Sequence, residues 1–285
     1  MTPPRTRWFD TGGHRLAYDV RGAGPDTVVL IPGLLMSRRM QGPPADELAA
    51  AGLRVAILDP LGTGESDRPT GNSSYSMRGF AEQIVALLDE LAVDRVVVHG
   101  TSAGSAMALA LALAAHAPDR LHGIVVEGPV LDRSILCATA CAGAVLAGLT
   151  YGRPLARLIA RGAGRLPRGF GLVTDLTLDW LAQDPRASAA VVQGMIYTGF
   201  KQPKDIRERL RPPVLVIGYR YFDPIHRPAD ARALAAEAPD ARLVRARTWL
   251  ELRSAPRRLA PESATFVRSC HAAASAPDAA QAVTA

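Results

Sequence analysis

Short β-branched runs alternating with helical stretches predict an α/β chain: a mostly parallel, twisted sheet with helices on both faces and an inserted helical cap. Three observations carry this prediction. Apolar runs recur at 16–20, 27–31, 54–58, 95–99, 123–127, 214–218 and 242–246, the pattern of strands covered on both sides. Helical periodicity fills about 45–51, 77–91, 103–115, 228–236 and 261–273. Between the fifth and sixth strand runs the rhythm breaks for roughly eighty residues, far beyond the usual length of a loop.

The elements follow in order. Leu16 to Val20 and Thr27 to Ile31 open the sheet, a helix over 45–51 connects to Arg54 to Leu58, and a longer helix over 77–91 leads to Arg95 to His99. That fourth run leads straight into Gly100-Thr101-Ser102-Ala103-Gly104 and a helix-like stretch beyond it. Gly123 to Glu127 closes the first half. The interruption holds helical stretches at 134–149, 154–161 and 176–200, punctuated by Gly162, Gly164, Pro167, Gly169 and Gly171. Residues 1–129 and 212–274 are therefore expected to form the core and 130–211 a cap over its open end, with a disordered tail at 275–285.

Composition narrows the function classes. With 285 residues and 48% hydrophobic content the chain can bury a full core. Its net charge of +6 comes almost wholly from scattered arginines, Lys201 and Lys204 being the only lysines, and no aromatics interleave them, which argues against nucleic-acid binding. The start lacks an apolar stretch followed by a small-residue cleavage site, so a cytoplasmic location is expected. Residues 134–152 carry no charge, but their Ala, Gly, Thr and Cys content suits a buried or lid helix better than a membrane span. Cys137, Cys141 and Cys270 have no His or Asp beside them to complete a metal site and are expected to be buried apolar residues. No metal, cofactor, nucleic acid or membrane partner is expected; a homodimer is compatible with the chain.

The chemistry centres on Ser102. A strand entering a helix through a very tight turn lifts one side chain above the sheet, and small residues two before and two after it keep strand and helix from colliding. Gly100 and Gly104 stand at those positions. The same turn opens a helix, so the Ala103 amide is placed to meet a developing oxyanion.

With Ser102 in that context, the chain resembles the α/β-hydrolase superfamily. Val28-Val29-Leu30-Ile31-Pro32-Gly33-Leu34 is similar to the family's third strand and oxyanion loop, which implies the Leu34 amide as a second donor. Asp59-Pro60-Leu61-Gly62-Thr63-Gly64-Glu65-Ser66 is similar to the D-x-R-G-x-G-x-S loop after the next strand, and Val214 to Gly218 followed by Asp223 resembles the strand and loop carrying the triad acid. After the last strand, where the family places a Gly-His pair, this chain reads Arg247-Thr248-Trp249-Leu250-Glu251-Leu252-Arg253-Ser254. The usual base is thus missing from its usual place. A serine hydrolase without its histidine loses on the order of a million-fold in turnover, about 8 kcal/mol.

Substitutes are few. His226, three residues after Asp223, is the best stand-in, while His99 precedes the elbow and is expected to be satisfied by backbone. His14, His116, His122 and His271 fall in a turn, a helix end, a strand start and the tail. Glu127 is an alternative acid, and Glu251 could occupy the vacated space as a general base, a salt bridge to Arg247 or Arg253 being its plainer reading. The chain thereby resembles superfamily members with degenerate triads, and that resemblance implies a cofactor-independent, non-hydrolytic step on a hydrophobic carbonyl compound, such as carbon–carbon bond formation, cyclisation or a lyase step in natural-product tailoring. Ser102, Asp223 and His226 would carry it, with the Leu34 and Ala103 amides as oxyanion hole. The alternatives are a serine esterase or thioesterase with a relocated base, and a ligand-binding pseudo-hydrolase.

Overall fold

The computed structural model describes residues 5–112, 119–199, 203–221 and 223–275. Its strands are β1 Arg7–Thr11, β2 His14–Arg21, β3 Thr27–Ile31, β4 Arg54–Leu58, β5 Val96–Thr101, β6 Leu121–Glu127, β7 Val214–Tyr219 and β8 Ala241–Ala246. They form one eight-stranded sheet in the order β1-β2-β4-β3-β5-β6-β7-β8. β1 with β2 and β2 with β4 pair antiparallel, and every other pairing is parallel. The helices are α1 Gly42–Ala50, α2 Met77–Glu90, α3 Ala103–Ala112, α4 Ile135–Tyr151, α5 Arg153–Arg165, α6 Leu172–Leu181, α7 Pro185–Thr198, α8 Lys204–Arg207, α9 Pro228–Glu237, α10 Glu251–Ser254 and α11 Ala260–Ser275.

Alternation along each strand divides the core into two layers. Val29, Ile31, Val98 and Val216 pack with Phe80 and Ile84 of α2 on one face. Val28, Leu30, Val97 and Leu215 pack with Leu48 of α1 and Val267 of α11 on the other. Both faces being covered, β3 and β5 are buried at every position, which is why they read as continuous apolar runs.

Several elements depart from the sequence reading. β1 was not anticipated because Phe9 is its only buried residue; it is held as the outer half of a hairpin whose turn uses Gly12 and Gly13 at φ of 56° and 77°. The helix expected over 176–200 is two, because Pro185 opens α7 and the Asp184 carboxylate caps it by accepting the amides of Arg186 and Ala187. The single-turn α8 and α10 were also missed. Part of the expected 103–115 helix, with His116, lies outside the described residues, as do 276–285 of the expected tail; Ser275 itself ends α11.

α4 to α8 form a helical insertion between β6 and β7. Asp230, buried near the start of α9, ties it to the core by accepting the amides of Leu131, Arg133 and Ser134 at 2.8, 2.9 and 3.0 Å. Among the described residues no single helix is long and apolar enough to cross a membrane. The parallel register pairs Ile31 with Gly100, Thr101 with Glu127 and Glu127 with Ile217, so the segments after β3, β5, β6 and β7 converge on one edge of the sheet.

Candidate active site

At that edge the turn between β5 and α3 holds Ser102 at φ 55°, a left-handed conformation unusual for serine. Tight packing imposes it. A Cβ at Gly100 would lie 2.1 Å from the Gly104 carbonyl oxygen, and one at Gly104 would lie 2.5 Å from that of Ile31, so both positions require glycine. The Ser102 amide donates to the Glu127 carbonyl at 2.8 Å, fixing the turn against β6. Ala103 opens α3, where an amide has no acceptor within the helix. Across from it, the turn after β3 is closed by the Met36 amide donating to the Gly33 carbonyl at 3.0 Å, and Leu35 takes a φ of 56°. Leu34 and Ala103 thereby share a cavity wall with Ser102.

The position expected to lack a base is filled. His226 Nε2 stands 2.7 Å from Ser102 Oγ, and His226 Nδ1 stands 3.0 Å from Asp223 Oδ2. With Nδ1–H donated to Asp223, Nε2 presents its lone pair to the serine hydroxyl. The other Asp223 oxygen accepts the amides of Ile225 and His226 at 2.8 and 3.0 Å, folding the loop so that acid and base stand three residues apart on one turn. Burial would raise the Asp223 carboxyl, but the bond to His226, its charge and those two amides bring it down to about 2. The Tyr219 ring meets the imidazole edge-on at 5.6 Å and 78°.

Beneath this trio lies a buried polar cluster. Glu127, wholly buried, accepts from Arg253 Nη1, from Thr101 Oγ1 at 2.6 Å and from the Tyr219 hydroxyl at 3.3 Å. Arg253 Nη2 also reaches Thr101 Oγ1 at 2.9 Å and Gln41 Oε1 at 3.1 Å. Burial raises the Glu127 carboxyl, yet the Arg253 charge and His99 overcome it and hold the group at about 2. Glu127 is therefore the partner of Arg253, not an acid facing His226. His99 is buried with Nε2 3.5 Å from Glu127 Oε2 and no backbone acceptor, so the expectation of a backbone-satisfied ring is corrected. Glu251 does not enter the site: it accepts the Arg247 amide and pairs with Arg258, neither of the two salt bridges expected. The segment that replaces the Gly-His pair instead sends Arg253 inward and Trp249 into the cavity wall.

The remaining histidines lie elsewhere. His271, expected in the tail, is buried in α11 with Nε2 3.0 Å from the Thr27 carbonyl oxygen, and its ring stacks on His122 at 6.4 Å. The cysteines also differ from expectation, since only Cys270 is buried, Cys137 being half-buried and Cys141 exposed.

Above Ser102 is a cavity of about 380 Å³, walled chiefly by apolar side chains such as Met36, Val145, Met195, Ile196 and Trp249. A larger hollow of about 770 Å³ lies at the other end of the sheet, against Leu121, Val214 and Arg242, away from all three site residues.

Comparison with known proteins bears on the fold. Residues 26–140 match the family model described as alpha/beta hydrolase fold. A hydrolase from Pseudomonas aeruginosa superposes with a TM-score of 0.76 at 23% identity over 93% of this chain and 99% of its own. The chain has the α/β-hydrolase fold. A thermophilic esterase from Thermogutta terrifontis shares this fold with a TM-score of 0.75, at 23% identity over 94% of this chain and 99% of its own. In sequence, the α/β-hydrolase likeness is concentrated in the first half. A 2-hydroxy-6-oxononadienedioate/2-hydroxy-6-oxononatrienedioate hydrolase of Paraburkholderia xenovorans is 35% identical over 127 residues, 41% of this chain and 40% of that protein. The zearalenone hydrolase of Bionectria ochroleuca is 30% identical over 123 residues, 42% of each. The chain thus spans about two fifths of the length of these curated relatives.

Within the α/β-hydrolase frame, sequence reasoning missed Tyr219, Thr101, Gln41, Arg253 and Trp249. For Arg253 the only signal was negative, a foreign segment where a Gly-His pair was expected. Its partner Glu127 is 126 residues away, and no local pattern links them.

Proposed function

We propose that this chain is a serine esterase or thioesterase whose base has moved from the loop after the last strand to the loop that carries the acid. The observation that supports this is the 2.7 Å approach of His226 Nε2 to Ser102 Oγ, backed by Asp223 at 3.0 Å. The non-hydrolytic expectation rested on the lack of such a base and loses its ground.

The steps follow from the geometry. His226 Nε2 takes the hydroxyl proton as Ser102 Oγ attacks the acyl carbonyl carbon, and Asp223, ionised down to about 2, stabilises the imidazolium. The carbonyl oxygen, now an oxyanion, is met by the Leu34 and Ala103 amides. His226 returns the proton to the departing alcohol or thiol, leaving an ester on Ser102. Water then enters, gives a proton to His226 and attacks the acyl carbon; collapse of that intermediate returns the proton to Ser102 Oγ and releases the acid. The apolar wall of the 380 Å³ cavity favours an uncharged acyl group of modest size. The names of the curated relatives and of the superposed esterase agree with a hydrolytic reaction.

The test is chemical labelling. A fluorophosphonate probe is expected to modify Ser102 rapidly, and a nitrophenyl ester to give a burst followed by steady turnover, both abolished in Ser102→Ala. No labelling and no burst in well-folded protein would overturn the proposal.

A further inference from the structure

The outer surface of the helical insertion has the composition of a buried one. α4 has no charged residue in 17, yet Ala138 is its only buried position. α5 follows after a 92° bend. Its sequence, RPLARLIARGAGR, places Arg153, Arg157, Arg161 and Arg165 four residues apart, with no acidic residue among the 13. At 100° per residue the arginines form one side of the helix, Leu155, Leu158 and Ile159 a second, and Ala156, Ala160 and Ala163 a third. Ala163 is buried against the rest of the protein, whereas Leu155 and Leu158 are 62% and 65% exposed. Leu136 and Tyr151 of α4 are also exposed, at 82% and 88%. Large apolar side chains exposed side by side, as Leu155 and Leu158 are, suit an interaction site.

We propose that α4 and α5 dock the protein on an anionic lipid bilayer. Ala156, Ala160 and Ala163 hold α5 to the protein with Arg153 and Arg157 half-buried beside them, which leaves Leu155 and Leu158 facing outward together with the exposed Arg161 and Arg165. That pairing suits a membrane interface, where leucines enter the acyl boundary while guanidinium groups on long stems stay at the phosphates. A neutral apolar partner would leave the exposed Arg161 and Arg165 uncompensated, whereas anionic headgroups neutralise them. The same α4 lines the cavity above Ser102 through Ala138, Ala142 and Val145, so a docked molecule would open its cavity wall close to the lipid. The sequence reading expected no membrane partner; what is inferred here is contact with the surface, not a span.

Vesicle binding tests the proposal without turnover, so it fails or stands separately from the esterase reading. The full chain is mixed with sucrose-loaded vesicles of phosphatidylcholine, with or without phosphatidylglycerol, and the bound fraction is read by sedimentation. Binding is expected only with phosphatidylglycerol present, and is expected to weaken as salt is raised. Each arginine contributes about five-fold, so R161E/R165E is expected to bind at least about twenty-fold more weakly. L155S/L158S is expected to weaken binding comparably, with unchanged circular dichroism in both variants. Equal binding to neutral vesicles, or undiminished binding by R161E/R165E, overturns the proposal. It is also overturned if no vesicles are bound while analytical ultracentrifugation shows a dimer that L158E splits, because a second copy then covers this face.

Discussion

Ser102, His226 and Asp223 differ in how much of their role is local. Asp223 and His226 are set by a single turn, since the carboxylate accepts two amides of its own loop while holding the ring. Ser102 depends on long-range packing, because its strained φ persists only while Gly100 and Gly104 allow β3, β5 and α3 to meet. Replacing His226 with Ala is expected to lower kcat on a nitrophenyl ester by about a million-fold, matching Ser102→Ala, since the two act as one unit. A loss under tenfold would mean that the ring is not the base. Asp223→Asn is expected to cost about ten-thousand-fold in kcat with KM little changed, because an amide permits the wrong imidazole tautomer. The residue that signalled all this in the sequence was His226 itself, close to a loop acid; its distance to Ser102 was not legible, the two being 124 residues apart.

The segment 247–254 shows how one element can exchange a catalytic task for a structural one. Lacking the Gly-His pair, it supplies Arg253 to Glu127 at the end of β6, and Glu127 in turn holds Thr101 of the elbow and Tyr219 at the end of β7. A buried pair is costly to break because the remaining charge has no water to turn to. Arg253→Met is therefore expected to destabilise the fold by about 3–5 kcal/mol in urea titrations, with R253M/E127M recovering much of that loss. If R253M matches wild type, the pair has no structural role. The acid limb of stability gives an independent reading. Glu127 has its carboxyl lowered in the folded protein to about 2 from the ordinary 4.5, so its contribution is complete above 4.5 and is lost as pH falls towards 2. Across that window Glu127→Gln is expected to flatten the fall in stability, and an unchanged slope would contradict the assignment. The glycines of the elbow announced themselves by spacing, but Glu127 and Arg253 had no pattern, because buried ion pairs form between elements that only folding brings together.

Over the whole molecule, the eight-stranded sheet is the base and the α4–α8 insertion an attached layer whose joint to it includes the Asp230 carboxylate. Three amides share that carboxylate, and each buried amide left without an acceptor costs about 1–3 kcal/mol. Asp230→Ala is expected to raise KM for apolar esters several-fold with kcat within about threefold, and to admit trypsin at the arginines of the insertion before the core is cut. Cutting in core and insertion at equal rates would show that the joint is not where the molecule yields. The amino-acid order by itself determined the layered α/β architecture, the interruption after β6 and the elbow, because each is written in local periodicity and in glycines that sterics demand at fixed offsets. Only the tertiary structure decided that the imaginary gap above Ser102 is closed by His226 and that Arg253 faces inward. The reason is physical: sheet order sets which loops become neighbours, and that order arises from pairing among distant strands, not from any stretch of sequence taken alone.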